Sequence, residues 1–155
     1  MKKEIIVSCL LLFVLFACTK NVDDAYSNVT GAQVISEANV PATVLNTFNA
    51  SFGSSTEREW RHENDIFICQ FNMNSQRHEA EFENDGHEDS HSVICIEAVV
   101  PQVVLDAFLS SYPTDIVYEW KLNNDNTWKA HFMRSAVKYE VTISENGDIL
   151  KSEHD

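Results

Sequence analysis

Five residues, His87-Glu88-Asp89-Ser90-His91, spell a pattern known from catalytic zinc sites. Two imidazoles spaced this way fall on one side of an α-helix and bind the metal, while the glutamate serves as general base. That chemistry needs a helix, a third ligand and a bound water. Here the pentapeptide follows the turn pair Asp85-Gly86 and leads into Val93-Ile94-Cys95-Ile96, a β-rich run. The context predicts loop and strand instead of helix. A small metalloenzyme is therefore the third of three readings, and adventitious metal binding by His87 and His91 suits these residues better. No metal and no cofactor is assigned from the sequence. His62, His78, His131 and His154 are scattered, and there is no phosphate loop, dinucleotide fingerprint or serine elbow.

Cysteine could supply a nucleophile, a lipid attachment point or a disulfide. Lys2-Lys3 precede an apolar run, Ile5 to Phe16, too short for the roughly 20 residues a membrane span needs but of the length of a secretory signal core. The run ends in Leu15-Phe16-Ala17-Cys18, which resembles a bacterial lipobox. That reading makes residues 1–17 a signal peptide and Cys18 the lipidated first residue of the exported chain. Multiple acyl chains anchor stably where one does not. The expected address is the cell envelope, most simply the outer membrane, with the membrane contacted only through the lipid. Residues 18–33 are polar, without apolar periodicity, and read as a tether. Cys69 and Cys95 remain. An exported chain permits a disulfide between them; alternatively Cys69, on a core-facing position, is a small buried hydrophobe. Neither has a motif that marks it as a nucleophile.

Carboxylates are the third chemical resource. The formal net charge is −13, and becomes one unit more negative if Lys2, Lys3 and Glu4 leave with a signal. Such a charge argues against nucleic acid and anionic lipid as partners. It favours solubility, or a basic partner. Alternation along three segments puts Glu57, Glu59, Arg61, Ile66, Ile68, Gln70, Glu79, Glu81 and Glu83 on one face of a sheet. A second set comprises Glu119, Lys121, Lys129, His131, Glu140, Thr142 and Ser144. The first set is acidic and the second mixed. Clustered carboxylates on adjacent strands repel unless solvated or met by cations. Two readings follow: a face that is simply solvated, or one that docks a basic protein surface or, less simply, calcium.

The elements that must position these residues are written twice. Val40-Pro41, then Val44, Leu45, Phe48 and Phe52, then Glu59-Trp60, return sixty residues later as Val100-Pro101, Val104, Leu105, Phe108, Tyr112 and Glu119-Trp120. A repeat of this length means one supersecondary unit used twice. Each apolar stripe has helical spacing, and each proline suits a first helical turn. Gly53 would end the first helix as a left-handed cap, and Pro113 the second because its ring cannot continue. Each helix follows a short extended lead-in (34–38 and 94–98). Three strands follow each, about 56–62, 66–72 and 77–83, then 116–122, 127–133 and 137–144. Ile116, Tyr118, Trp120 and Leu122 should share a face. Asp85-Gly86 and Asn146-Gly147 make the next turns, each followed by a last strand. The two tryptophans read as core, not as a ligand-stacking pair. The boundaries are 34–93 and 94–155. Each unit alone is marginal in size, so the expected fold is α+β, with two tandem modules building one curved sheet and both helices on one face.

Val-Pro, Val-Leu-x-x-Phe, an aromatic at the helix end, Glu-Trp on the first strand and Asn/Asp-Gly after the third resemble the PepSY-like, β-lactamase-inhibitor-like family common among secreted lipoproteins of Bacteroidetes. The resemblance spans about residues 34–153. Arg58 and His62 depart from it, replacing apolar residues and making the first copy more polar and more open there. The resemblance implies a non-enzymatic role: β-lactamase inhibitor protein grips its target with the exposed sheet face, and PepSY domains are thought to restrain proteases. The expected partner is thus an unknown protein, basic or a secreted enzyme, held by Glu57, Glu59, Arg61, Ile68, Glu79, Glu81, Glu83, Lys129, His131 and Glu140. The alternative is an envelope protein binding a small ligand or cation between the modules.

Overall fold

The computed structural model describes residues 32–154. Cys18, the signal and nearly all of the tether lie outside the described residues. Gln33 already belongs to the first strand and Ala32 is buried, so the structured region begins slightly earlier than the sequence suggests.

The chain alternates short elements in one order, twice. Strand β1 (Gln33–Ile35) leads through a single 3-10 turn (Glu37–Asn39) into helix α1 (Ala42–Phe52), then β2 (Thr56–Glu63), β3 (Ile66–Met73) and β4 (Gln76–Glu83). Strand β5 (Glu88–Cys95) closes this half and opens the next. It leads through a second 3-10 turn (Glu97–Val99) into α2 (Gln102–Ser111), β6 (Val117–Asn123), β7 (Trp128–Arg134), β8 (Val137–Ile143) and β9 (Ile149–His154). The nine strands form one antiparallel sheet in chain order, a continuous meander.

Both helices lie on one face. On β5, His91 meets Phe52 of α1 while Cys95, two pairs of residues further on and on the same side, packs into the core under α2. There are two cores. Val44, Phe48 and Phe52 of α1 pack on Trp60, Cys69, Phe71, Ala80 and Phe82. Val104 and Phe108 of α2 pack on Trp120, Ala130, Phe132, Val141 and Ile143. Phe48 meets Trp60 at 5.0 Å and Phe108 meets Trp120 at 5.7 Å, both edge-on. Each buried ring contributes about 1.5–3 kcal/mol by leaving water. The two tryptophans thus have matching surroundings.

Local chemistry fixes the turns. Asn64-Asp65, Asn74-Ser75 and Ser135-Ala136 each hold two successive residues at positive φ, the two-residue hairpin whose twist matches that of the strands. Between β6 and β7 the turn is one residue longer, with Asn126 alone at φ 64°. That extra residue is the insertion separating the copies from that point on. Gly86 and Gly147, at φ 91° and 89°, end the hairpins that abut the helices. A Cβ on Gly86 would stand 2.7 Å from the Thr43 carbonyl oxygen, and one on Gly147 3.0 Å from that of Val103. Each glycine lets a hairpin touch the first turn of a helix.

Several expectations need correcting. Pro41 and Pro101 precede their helices as extended caps (ψ 142° and 140°) instead of occupying the first turn. Gly53 is right-handed, with φ −61° and ψ −23°, so no left-handed cap forms; Arg58 covers that helix end instead. Its guanidinium donates to Asn49 Oδ1, Ser55 Oγ and the Gly53 carbonyl, and lies 4.8 Å over the Phe48 ring. His62 stacks on Phe67. The first half is therefore more polar at these positions but not open. In β6 a bulge between Val117 and Glu119 shifts the alternation. Val117 packs into the core, while Ile116 is exposed and Tyr118 turns toward His131.

Candidate functional site

The sheet face away from the helices carries the carboxylates, as alternation requires, but its centre is not solvated. Glu79, Lys121 and His131 are 4 %, 6 % and 3 % exposed. Burying charges costs several kcal/mol each unless they are paired, and here the pairing runs unbroken. Arg61 lies 3.0 Å from Glu79, Glu79 2.5 Å from Lys121, and Lys121 3.2 Å from Glu119. Glu119 lies 3.1 Å from His131, His131 2.9 Å from Glu140, and Glu140 2.9 Å from Lys129. Gln70 Nε2 also donates to Glu79 at 2.8 Å. The Glu119 oxygen sits off the Nδ1–H axis of His131, so that contact is poorer in geometry than the one from Nε2 to Glu140.

Geometry explains the crossing from one half to the other. Glu79 is paired with Ser92 of β5, and Lys121 with Ile94 of the same strand. Ser92 is small and buried, so the lysine stem crosses β5 beside it and brings its ammonium to Glu79. Burial by itself would raise the Glu79 carboxyl. The Lys121 charge and hydrogen bond, then Gln70 and Arg61, outweigh it and bring the group down to about 2. Burial would lower Lys121, but Glu79 and Glu119 hold its pKa above the ordinary lysine value. Burial would likewise raise Glu119 and Glu140. The His131 and Lys121 contacts hold Glu119 below the usual carboxylate range, and the His131 and Lys129 contacts hold Glu140 there.

The remaining candidates lie around this centre. Glu57, Glu59 and Glu83 are exposed, and Arg61, Ile68, Glu81, Lys129 and Glu140 half-buried. Arg77, which sequence reasoning left out, is paired with Glu59 and donates to the Glu57 carbonyl and Asn72 Oδ1. A hollow at the centre is bordered by Ala32, Arg61, Glu63, Ile68, Glu79, Glu81, Lys121, His131, Lys138 and Glu140. It draws on strands from β2 to β8, so the sheet curves around it. Glu63, Lys121 and Lys138 were absent from the expected docking set. Alternation could have supplied Glu63 and Lys138, but the reach of Lys121 depends on the register across β5.

The His-Glu-x-x-His stretch is extended in β5. His87 sits in the preceding turn, while His91 points under α1 and meets His78, Nε2 to Nδ1, at 3.0 Å. His78 Nε2 is 3.1 Å from the Met73 carbonyl and so donates to it; in the neutral ring its Nδ1 is then the acceptor from His91. Burial first, and the charge of His78 second, lower the pKa of His91. Among the described residues no three His, Cys, Asp or Glu side chains gather to hold a metal. Cys69 and Cys95 are both free thiols in separate cores, so the disulfide does not form. Burial pushes the Cys69 thiol up to about 12, which makes it a core residue and not a nucleophile.

No protein-family model matches the chain, and no curated protein matches it. Solved structures do. A DUF2874 family protein from Bacteroides uniformis superposes with TM-score 0.57 at 17% identity, over 74% of this chain and 88% of that one. A BLIP-like protein from Bacteroides fragilis gives 0.56 at 16%, over 74% and 86%. A candidate periplasmic protein from Bacteroides eggerthii gives 0.57 at 16%, over 74% and 88%. The fold is BLIP-like. At these identities the likeness extends to the fold alone: two helices on one face of an open antiparallel sheet. On the uncovered face of this sheet lies the run of paired side chains described above.

Proposed function

We propose that the chain is an exported, non-enzymatic binding protein, anchored to the cell envelope through Cys18, that grips a protein partner with the uncovered face of its sheet. The observation that carries this reading is the unbroken run of seven paired side chains from Arg61 to Lys129. Each side chain is held by its neighbours, so the face presents a fixed pattern of charge. Groups fixed before binding lose little freedom on docking, and a fixed pattern selects partners by complementarity. Around the buried centre, the accessible Glu57, Glu59, Glu81 and Glu83 make the first half acidic. A basic patch is the partner chemistry that fits there. Inhibition of a secreted enzyme is one form this gripping could take, as the PepSY-like resemblance and the BLIP-like architecture suggest.

The test is capture from envelope extract by the wild-type chain and by a chain carrying Glu59→Lys, Glu81→Lys and Glu83→Lys. The captured protein is identified, purified and bound again. Glu79 is the wrong residue to reverse, because its burial makes such a change a test of folding. The second reading, a small-ligand carrier, rests on the hollow bordered by Arg61, Lys121 and Lys138. A salt-insensitive, low-mass ligand recovered from the native protein would favour it over protein docking.

A further inference from the structure

The two ends of the sheet differ. At one end β1 has three residues; at the other β9 has six, all exposed, with its outer backbone groups unpaired by any strand among the described residues. An edge of that length is a template for another strand, and proteins usually blunt such edges. The side chains of β9 show what would fit. Lys151 and Glu153 lie on the uncovered face, paired across β8 with Thr142 and Glu140. Ser152 and His154 lie on the helix face, where Ser152 Oγ is 3.1 Å from the Tyr112 hydroxyl and His154 stacks on Tyr139, while Leu150 sits in the bulge where β9 slips against Thr142 and Ile143.

Consider two copies of β9 side by side, antiparallel. Residues opposite each other must lie on the same face, which excludes every register that sets an odd-numbered residue against an even one while keeping both sets of helices together. Among the rest, centring on Lys151 opposes two lysines, centring on Glu153 opposes two glutamates, and centring on Leu150 sets Lys151 against Ile149 and leaves neither Lys151 nor Glu153 a charged partner. Centring on Ser152 sets Lys151 against the partner copy's glutamate twice over and Leu150 against its histidine, with no like charges opposed. Cross-strand pairs of this kind are the unit that selects a sheet register. Leu150 is 57 % exposed in the single chain and would be covered. The contact is isologous and closes on itself, so it stops at two copies.

We infer that β9 is a self-pairing edge: two chains join through antiparallel β9 strands centred on Ser152, which extends one sheet across both copies and leaves both charged faces open. This does not depend on the docking reading. The test is cysteine cross-linking of the purified full-length chain under mild oxidation, read as doubled mass on a denaturing gel. Ser152→Cys places two thiols opposite one another and should cross-link at least ten times more than Leu150→Cys, whose opposite number is a histidine. Adding Lys151→Glu to Ser152→Cys should abolish the cross-link, and adding Glu153→Lys as well should restore it, because the swapped pair is again complementary. Equal cross-linking at positions 150 and 152, or a yield indifferent to the charge at 151, overturns the proposal.

Discussion

The two halves of the sheet share their hydrophobic plan and differ in their polar one. Phe48 and Phe108, Cys69 and Ala130, Phe71 and Phe132 occupy matching places, all almost wholly buried. Beneath the first helix the ring stack runs Phe71, His78, His91; beneath the second it runs Phe132, Tyr139, His154. The first stack ends in mid-sheet on a hydrogen-bonded imidazole pair, the second at the exposed edge. Across the sheet, Glu79 and Glu140 also match. Glu79 draws its cations from Arg61 and, across β5, from Lys121 of the other half; Glu140 is served by Lys129 and His131 within its own half. Packing positions tolerate only shape, so they stay alike. Polar positions are set by which partner reaches them, so they diverge, and the divergence ties the halves together.

The comparison breaks first at its most buried charge. Glu79→Ala removes the carboxylate that Lys121 and Arg61 share at the most buried point of the run and should cost about 3–5 kcal/mol in urea unfolding, while Glu140→Ala, at a half-buried site, should cost clearly less. Equal losses would mean that the inter-half pair has no special weight. Phe48→Ala and Phe108→Ala should each cost about 3–5 kcal/mol, and the double variant their sum, because the cores are separate. Gly86→Ala should cost about 1–3 kcal/mol, near the upper end, since its Cβ meets only Thr43 backbone and the Thr47 hydroxyl. Gly147→Ala should sit lower, because its nearest contacts, the Val103 carbonyl oxygen and Cγ2, both stand at 3.0 Å, against 2.7 Å at Gly86. Thermal melts of the two variants rank them.

Acid should act early on the first half. The folded pKa of His91 is depressed, so its contribution is complete above the ordinary histidine value of about 6.5 and is lost as pH falls below it. His91→Gln should flatten stability between pH 7 and 5. Glu79, depressed to about 2, contributes fully above the ordinary glutamate range and loses that contribution as pH falls through about 2. Glu79→Gln should therefore make stability less sensitive to acid between the ordinary glutamate range and about pH 2. The smallest contrast is at the tryptophans. Trp60 Nε1 donates to Glu37 at 3.2 Å, but the buried Trp120 Nε1 has no hydrogen-bond partner among the described residues. Trp120→Phe should cost about 1 kcal/mol less than Trp60→Phe, since it removes an unsatisfied donor instead of breaking a bond.

The fold was legible because its cause is periodic. Phe48 and Phe108 at helical spacing, and Phe67-Cys69-Phe71 in alternation, are statements about which side faces oil, and sixty residues later the chain makes them again. The candidate face was legible in membership but not in state. Alternation places Glu79 and His131 on the uncovered side, yet says nothing of depth. Their burial follows from curvature and from Lys121 crossing β5 beside Ser92, a consequence of register that no local pattern contains. The Val117 bulge was missed for a similar reason: Ile116 and Tyr118 fit the alternation better as letters, and only the strand pairing shows where it slips. His-Glu-x-x-His shows the reverse error avoided, since its neighbours, Asp85-Gly86 before and Val93-Ile94 after, outweigh the match.

The central claim is that this fixed charged face recognises a protein. Its most direct test is binding of the purified captured partner to the wild-type chain and to the Glu59→Lys, Glu81→Lys, Glu83→Lys variant, at low and at high salt. The account predicts tight binding at low salt, weakened at least tenfold by salt and by the three reversals, with unfolding stability unchanged. Undiminished binding by a folded triple variant would contradict it.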